Sequence, residues 1–163
     1  MHDGSVERSS RHRLVAWALV GAQALLILAL VLLPYGEDWP VPGWLTWLGR
    51  AASAAGVVVM LLGSARLGRG LTASPVPNQA AQLRVDGLYA WVRHPIYSGL
   101  LLLAAGLVVV SGSLARLGVL LGLVVLLSAK ARWEEARLAE RFPDYPAYAA
   151  RVPRFVPRPG PRR

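Results

Sequence analysis

Cysteine is absent from the 163-residue chain. That removes disulfides, thiolate metal sites and cysteine nucleophiles together. Only three histidines are present, His2, His12 and His94, and they form no metal-ligand pattern, so no metal is expected. Lysine is nearly missing too, Lys130 standing alone among 18 basic residues. No segment recurs at a fixed period, which excludes a solenoid.

Apolar residues are what the chain has in excess. A hydrophobic content of 55% and a mean hydropathy of +0.42 exceed what one soluble core of this size uses. The sequence therefore reads as a single all-α, polytopic membrane domain over residues 1–163. Its net charge of +9 would suit a nucleic acid, but the arginines collect at the chain ends and between apolar runs. Such placement marks membrane topology, and no nucleic-acid partner is expected.

Residues 14–33 form a nearly unbroken apolar run, enough helix to cross ~30 Å of hydrocarbon. Pro34-Tyr35-Gly36-Glu37-Asp38 follows without a small-x-small cleavage site, so this run reads as an uncleaved first span. A second span covers residues 44–65, with Arg50 near its edge able to snorkel. Runs 96–110 and 114–129, separated by Ser111-Gly112-Ser113, predict a tight hairpin of two shorter spans. Arginine-rich segments before the first span, between the second and third, and after Lys130 put both termini in the cytoplasm by the positive-inside rule. The expected organisation is a two-span part (1–65), a site-bearing part (66–157) and a basic tail (158–163), with a cytoplasmic C-terminal helix and a Pro-rich tail after about four spans.

Two polar segments flank the third and fourth spans. In the first, Gly68-x-Gly70-x-x-Ala73 has the spacing of a dinucleotide fingerprint. An apolar span precedes it, however, and Ser74-Pro75-Val76-Pro77 follows, where that motif needs a strand and a helix. Further on, Asp86-Gly87 signals a turn and Pro95 suits the first position of a helix. Arg93 and His94 therefore stand just before a helix N-terminus, an end that prefers anions. A carboxylate or phosphate there would relieve the conflict. In the second segment, "AKARWEEARLAERFPDYPAYAARVPRFVP", helical spacing puts Glu134 on the inward stripe with Leu138 and Phe142, and Glu135 at its border. An acidic group on that stripe requires a cationic partner.

"LRVDGLYAWVRHPIYSG", two short spans and "EEARLAERFPDYPAYAARVP" in this order resemble the isoprenylcysteine carboxyl methyltransferase and phospholipid methyltransferase superfamily of membrane enzymes. Gly87, Tyr89, Arg93, His94, Pro95, Tyr97 and Gly99 fit its first motif. Glu134, Glu135, Leu138, Phe142, Tyr145, Tyr148, Val152 and Pro153 fit its second. The resemblance covers residues 83–157. It implies S-adenosylmethionine as cofactor, held by Gln82, Leu83, Arg84, Tyr89, His94, Pro95, Ile96, Tyr97, Glu134 and Glu135 and closed over by the tail. Arg93 joins the catalytic candidates. The family's substrate-proximal arginine, one turn before the glutamate, corresponds here to Lys130, with Arg132 as the alternative. Pro143 stands where the family has glycine after the phenylalanine.

The implied activity is methyl transfer to a membrane-embedded amphiphile, a lipid or isoprenoid acid for example, at the cytoplasmic face of a bacterial inner membrane. One rival is an NADPH-dependent reductase related to the sterol reductases, whose Arg-Asp and Lys-Tyr-Gly-x-x-Trp wording this chain lacks. Another is a non-enzymatic scaffold binding anionic lipid through its arginines. It leaves the inward Glu134 without a reason.

Overall fold

Backbone amides cannot go unpaired in hydrocarbon, so each long apolar run must close its hydrogen bonds within itself as a helix. In the computed structural model, which describes residues 3–68 and 83–158 and side chains from residue 14 onward, the runs do so. The helices are α1 (Asp3–Leu32), α2 (Gly43–Leu67), α3 (Pro95–Ser111), α4 (Leu114–Arg141) and α5 (Tyr145–Arg151), with a short 3-10 turn at Gly87–Ala90. No strand occurs among the described residues.

Three of these helices are long and apolar enough to cross a membrane: α1 over Leu14–Leu32, α2 and α4. The third run of the sequence reading becomes α3, apolar but only 17 residues long. Pro95 fixes its start, and Gly112, left-handed at φ 55°, fixes its end. Four spans were expected; three helices meet the length, and α3 is apolar but shorter. The 28-residue α4 fuses the expected last span and the following Glu134-Glu135 segment into one rod.

α2 and α3 pack antiparallel through glycine. Gly49, Gly56 and Gly63 recur every two turns on one face of α2 and are its buried residues. A Cβ on Gly56 would stand 2.5 Å from the Gly99 carbonyl oxygen, and one on Gly106 would overlap the Gly49 carbonyl. The two backbones therefore touch, the small-residue mode by which helices associate in lipid. Ser53 Oγ adds a hydrogen bond to the Leu103 carbonyl at 3.3 Å.

α4 lies against α3, and α1 against α4, so the bundle runs α1, α4, α3, α2. Leu30, Ala104, Val108 and Leu123 form its core. Outward faces carry Trp17, Leu25, Val57, Leu61, Leu121 and Val125, an apolar coat suited to lipid. At the end of the bundle where α1 stops, the loop to α2 folds over the α3–α4 turn. Gly36 N–H donates to the Ser111 carbonyl at 2.8 Å, and Asp38 accepts from Leu114 N–H at 2.7 Å. Arg116 is buried there. Its guanidinium donates twice to the carbonyl of Leu33, just beyond α1, and lies over the Tyr35 ring.

Candidate functional site

The opposite end of the bundle gathers the polar residues. Asp86-Gly87 makes the expected turn, Gly87 at φ 57°, and Asp86 pairs with Arg66 at the end of α2 at 3.0 Å. The 3-10 turn that follows buries Tyr89, whose hydroxyl donates to the Gly63 carbonyl at 3.3 Å. Its own carbonyl accepts from the Tyr148 hydroxyl at 2.6 Å, tying α5 to the turn. Burial pushes the Tyr148 phenol up to about 12, although the Arg93 guanidinium pulls the other way.

His94 occupies the N-cap position of α3, at φ −126° and ψ 65°, directly ahead of Pro95. The tail runs alongside: Arg93 N–H donates to the Pro153 carbonyl at 2.9 Å and His94 N–H to the Arg154 carbonyl at 3.1 Å. Ser98 Oγ donates to the Phe155 carbonyl at 2.7 Å. The imidazole of His94 is buried between rings. Tyr97 stacks on it at 5.3 Å and 3° interplanar, and Phe155 tilts against it at 6.0 Å.

Both imidazole nitrogens face α4. Nε2 is 2.9 Å from Glu135 Oε1, and Nδ1 is 3.6 Å from Glu134 Oε2. Tyr97 hydroxyl donates to Glu134 Oε1 at 2.5 Å. Glu135 also receives the fork of Arg154, Nε to Oε1 at 2.9 Å and Nη2 to Oε2 at 2.6 Å, with Arg93 Nη2 at 3.5 Å. Such bidentate charge-assisted bonds are the strong kind, and this one raises the Arg154 guanidinium above its ordinary range. The anion wanted by Arg93 and His94 at the α3 N-terminus is thus Glu135, supplied by α4. A ligand is not needed to satisfy it.

Lys130, one turn before Glu134, is buried; its ammonium donates to Gln23 Oε1 of α1 at 2.8 Å and lies 5.3 Å over the Tyr97 ring. Arg132 is exposed. Pro95 is buried and Ile96 half-buried, both facing Gly63 of α2. Leu83 is half-buried and Arg84 exposed, while Gln82 and Gly70 to Pro77 lie outside the described residues. The structure therefore brings Arg93, His94, Tyr97, Lys130, Glu134 and Glu135 together, and leaves Arg84 and Arg132 at the surface. Arg154, Phe155 and Gln23 were not singled out in sequence. A basic residue directly after Val152-Pro153 and a lone amide within an apolar span were the available signals.

Two buried polar atoms have no hydrogen-bond partner among the described residues, Arg93 Nε and Tyr145 Oη. Buried groups of this kind are normally satisfied by protein, water or ligand. Two donors of this kind suit an anionic group such as a carboxylate. Among the described residues no group of three or more His, Cys, Asp or Glu side chains is disposed to hold a metal ion.

The profile of the family described as phospholipid methyltransferase matches residues 44–145, well over half the chain. This chain belongs to the phospholipid methyltransferase family. The match places it in the superfamily that its motifs resemble, and reaches further towards the N-terminus than they do, taking in α2. It stops before Arg154 and excludes α1. Among curated proteins, this family member is 33% identical over 150 residues to the cobalt-zinc-cadmium resistance protein CzcN of Cupriavidus metallidurans, covering 91% of this chain and 65% of that protein. It is 29% identical over 151 residues to the nickel-cobalt-cadmium resistance protein NccN of Alcaligenes xylosoxydans xylosoxydans, covering 91% and 66%. The chain thus spans about two thirds of the length of these relatives.

Proposed function

We propose that this protein is an S-adenosylmethionine-dependent methyltransferase acting on an amphiphile held in the membrane, at the face where the arginine-rich segments lie. The observation that carries the reading is the convergence of His94 and Tyr97 of α3 on Glu134 and Glu135 of α4, beneath the tail. When bound, the cofactor supplies a methyl group activated by its sulfonium.

The chain's own residues would bind and orient. Glu134, already oriented by Tyr97, would hold the cofactor's ammonium. Arg93 Nε and Tyr145 Oη would receive its carboxylate. Tyr89, Leu83 and the backbone from His94 to Tyr97 would line the remainder, with Gln82 and Arg84 contributing from the adjoining segment. Glu135 is engaged by Arg154, His94 and Arg93, and its part is to lock the tail over the site and exclude water. Lys130, rather than the exposed Arg132, takes the substrate-proximal role. Methyl transfer between aligned groups requires no covalent nucleophile on the protein; alignment and water exclusion are the contributions asked of the fold.

We read α1 to α4 as four spans with both termini cytoplasmic in a bacterial inner membrane. The resistance named for the two relatives describes those proteins and specifies no acceptor atom. Titration calorimetry of detergent-purified protein with S-adenosylmethionine and, separately, NADPH tests the assignment. Binding of the first alone is expected; binding of NADPH alone would favour a reductase, and binding of neither a lipid-binding scaffold.

A further inference from the structure

Between Leu14 and Leu32 the α1 span carries leucine, valine, alanine, isoleucine, tryptophan, glycine and one amide, Gln23. An amide in hydrocarbon is costly unless its polar atoms are used. Gln23 uses its carbonyl oxygen on the chain's single lysine, accepting from Lys130 Nζ at 2.8 Å.

Lys130 is a compact cation with three donors on a flexible four-carbon stem. One turn along the same helix stands Glu134, at the i+4 separation where lysine and glutamate ordinarily pair. Yet among the described residues Lys130 makes no ion pair with Glu134. Its ammonium points to α1 and the Tyr97 ring, and Glu134 takes Tyr97 hydroxyl and faces His94 instead. Lys130 stands near enough for its charge to act on Glu134, yet its hydrogen bond goes to a neutral group on a helix that the family profile does not cover.

We propose that Gln23 is a positioning residue that keeps the Lys130 ammonium from closing an ion pair with Glu134, so that this carboxylate can take the cofactor's ammonium. The proposal rests on the methyltransferase reading for the ligand, and on geometry alone for the pair. Removing the amide lets Lys130 swing to Glu134 and compete with the cofactor. Removing Lys130 as well makes the amide irrelevant.

Because Lys130 is the only lysine, side-chain 15N-lysine labelling of the full chain in nanodiscs gives one ammonium signal. Gln23→Leu, an apolar replacement that an apolar span accommodates, is expected to shift or broaden that signal. Gln23→Glu, which keeps an oxygen acceptor, is expected to restore a hydrogen-bonded one. In calorimetry, Gln23→Leu should weaken S-adenosylmethionine binding about tenfold, the scale of one charge-assisted hydrogen bond. The Gln23→Leu/Lys130→Met double variant should bind like Lys130→Met alone, the coupling expected of one path of action. An unmoved lysine signal in Gln23→Leu overturns the pair. A moved signal with unchanged cofactor affinity overturns its role in freeing Glu134. Should wild-type protein bind no S-adenosylmethionine, the methyltransferase reading fails, and the lysine signal still decides whether Gln23 holds Lys130.

Discussion

Arg154 grips Glu135 with both arms of its guanidinium, Nε to Oε1 at 2.9 Å and Nη2 to Oε2 at 2.6 Å, and so binds the tail to α4. The same carboxylate holds His94 Nε2 at 2.9 Å. One acidic side chain thereby fixes three segments of chain that are far apart in sequence.

Arg154→Ala should release the tail from this grip. A hydrogen-bonded charge pair of this kind contributes about 1.5–3 kcal/mol, and with Arg154 28% exposed the lower part of that range is expected. A lowered thermal midpoint in detergent, with faster proteolysis after residue 151, is the predicted result. Arg154→Lys should recover only part of the loss, since an ammonium cannot reproduce the fork.

Glu134→Gln should weaken S-adenosylmethionine binding by at least about tenfold, the effect of losing one charge-assisted contact. Glu140→Gln, at an exposed position of the same helix, should change it little. Calorimetry on the two variants side by side makes the comparison, and equal effects would contradict the inward placement of Glu134.

The α2–α3 contact makes a prediction about folding. Gly106→Ala should destabilise by about 1–3 kcal/mol, the usual cost of overpacking, because its new methyl meets the Gly49 carbonyl and Ser53. Gly118→Ala meets nothing within 4 Å and should be neutral or slightly stabilising, since alanine is the better helix former. Yields of monodisperse protein and thermal midpoints of the two variants provide the test.

Tyr148 gives a pH dependence with a definite sign. Its phenol ionises near the ordinary value of 10 when unfolded and at about 12 when folded. Above pH 10 the unfolded chain therefore binds fewer protons, and stability falls as pH rises, the contribution being complete below 10 and lost through 12. Tyr148→Phe should flatten that part of the profile, measured as the fall of the thermal midpoint between pH 9.5 and 11.5.

Much of the site was legible from local chemistry. A histidine before proline at a helix start and a carboxylate on an apolar helical stripe each demand a partner; Pro95 marked the first position and helical spacing the second. What local reasoning could not supply was who partners whom. The anion for Arg93 and His94 came from Glu135 on the border of the stripe, while the tail contributed Arg154, which no period marks. Glycines every seventh residue on α2 did carry a readable pattern, but their meaning depends on which helix lies opposite. Similarly, Gln23 is conspicuous in an apolar span, and only the α1–α4 pairing names its partner. The continuity of α4 was hidden because its composition changes midway while its backbone does not.

Transfer of a radiolabelled methyl group from S-adenosylmethionine into a bacterial lipid extract tests the central claim most directly. Nanodiscs carrying the wild-type chain should put label into the organic phase, and Glu134→Gln nanodiscs should put in at least about tenfold less. No label with the wild-type chain, or equal label with both, would contradict a methyl-transfer site built where His94 meets Glu134.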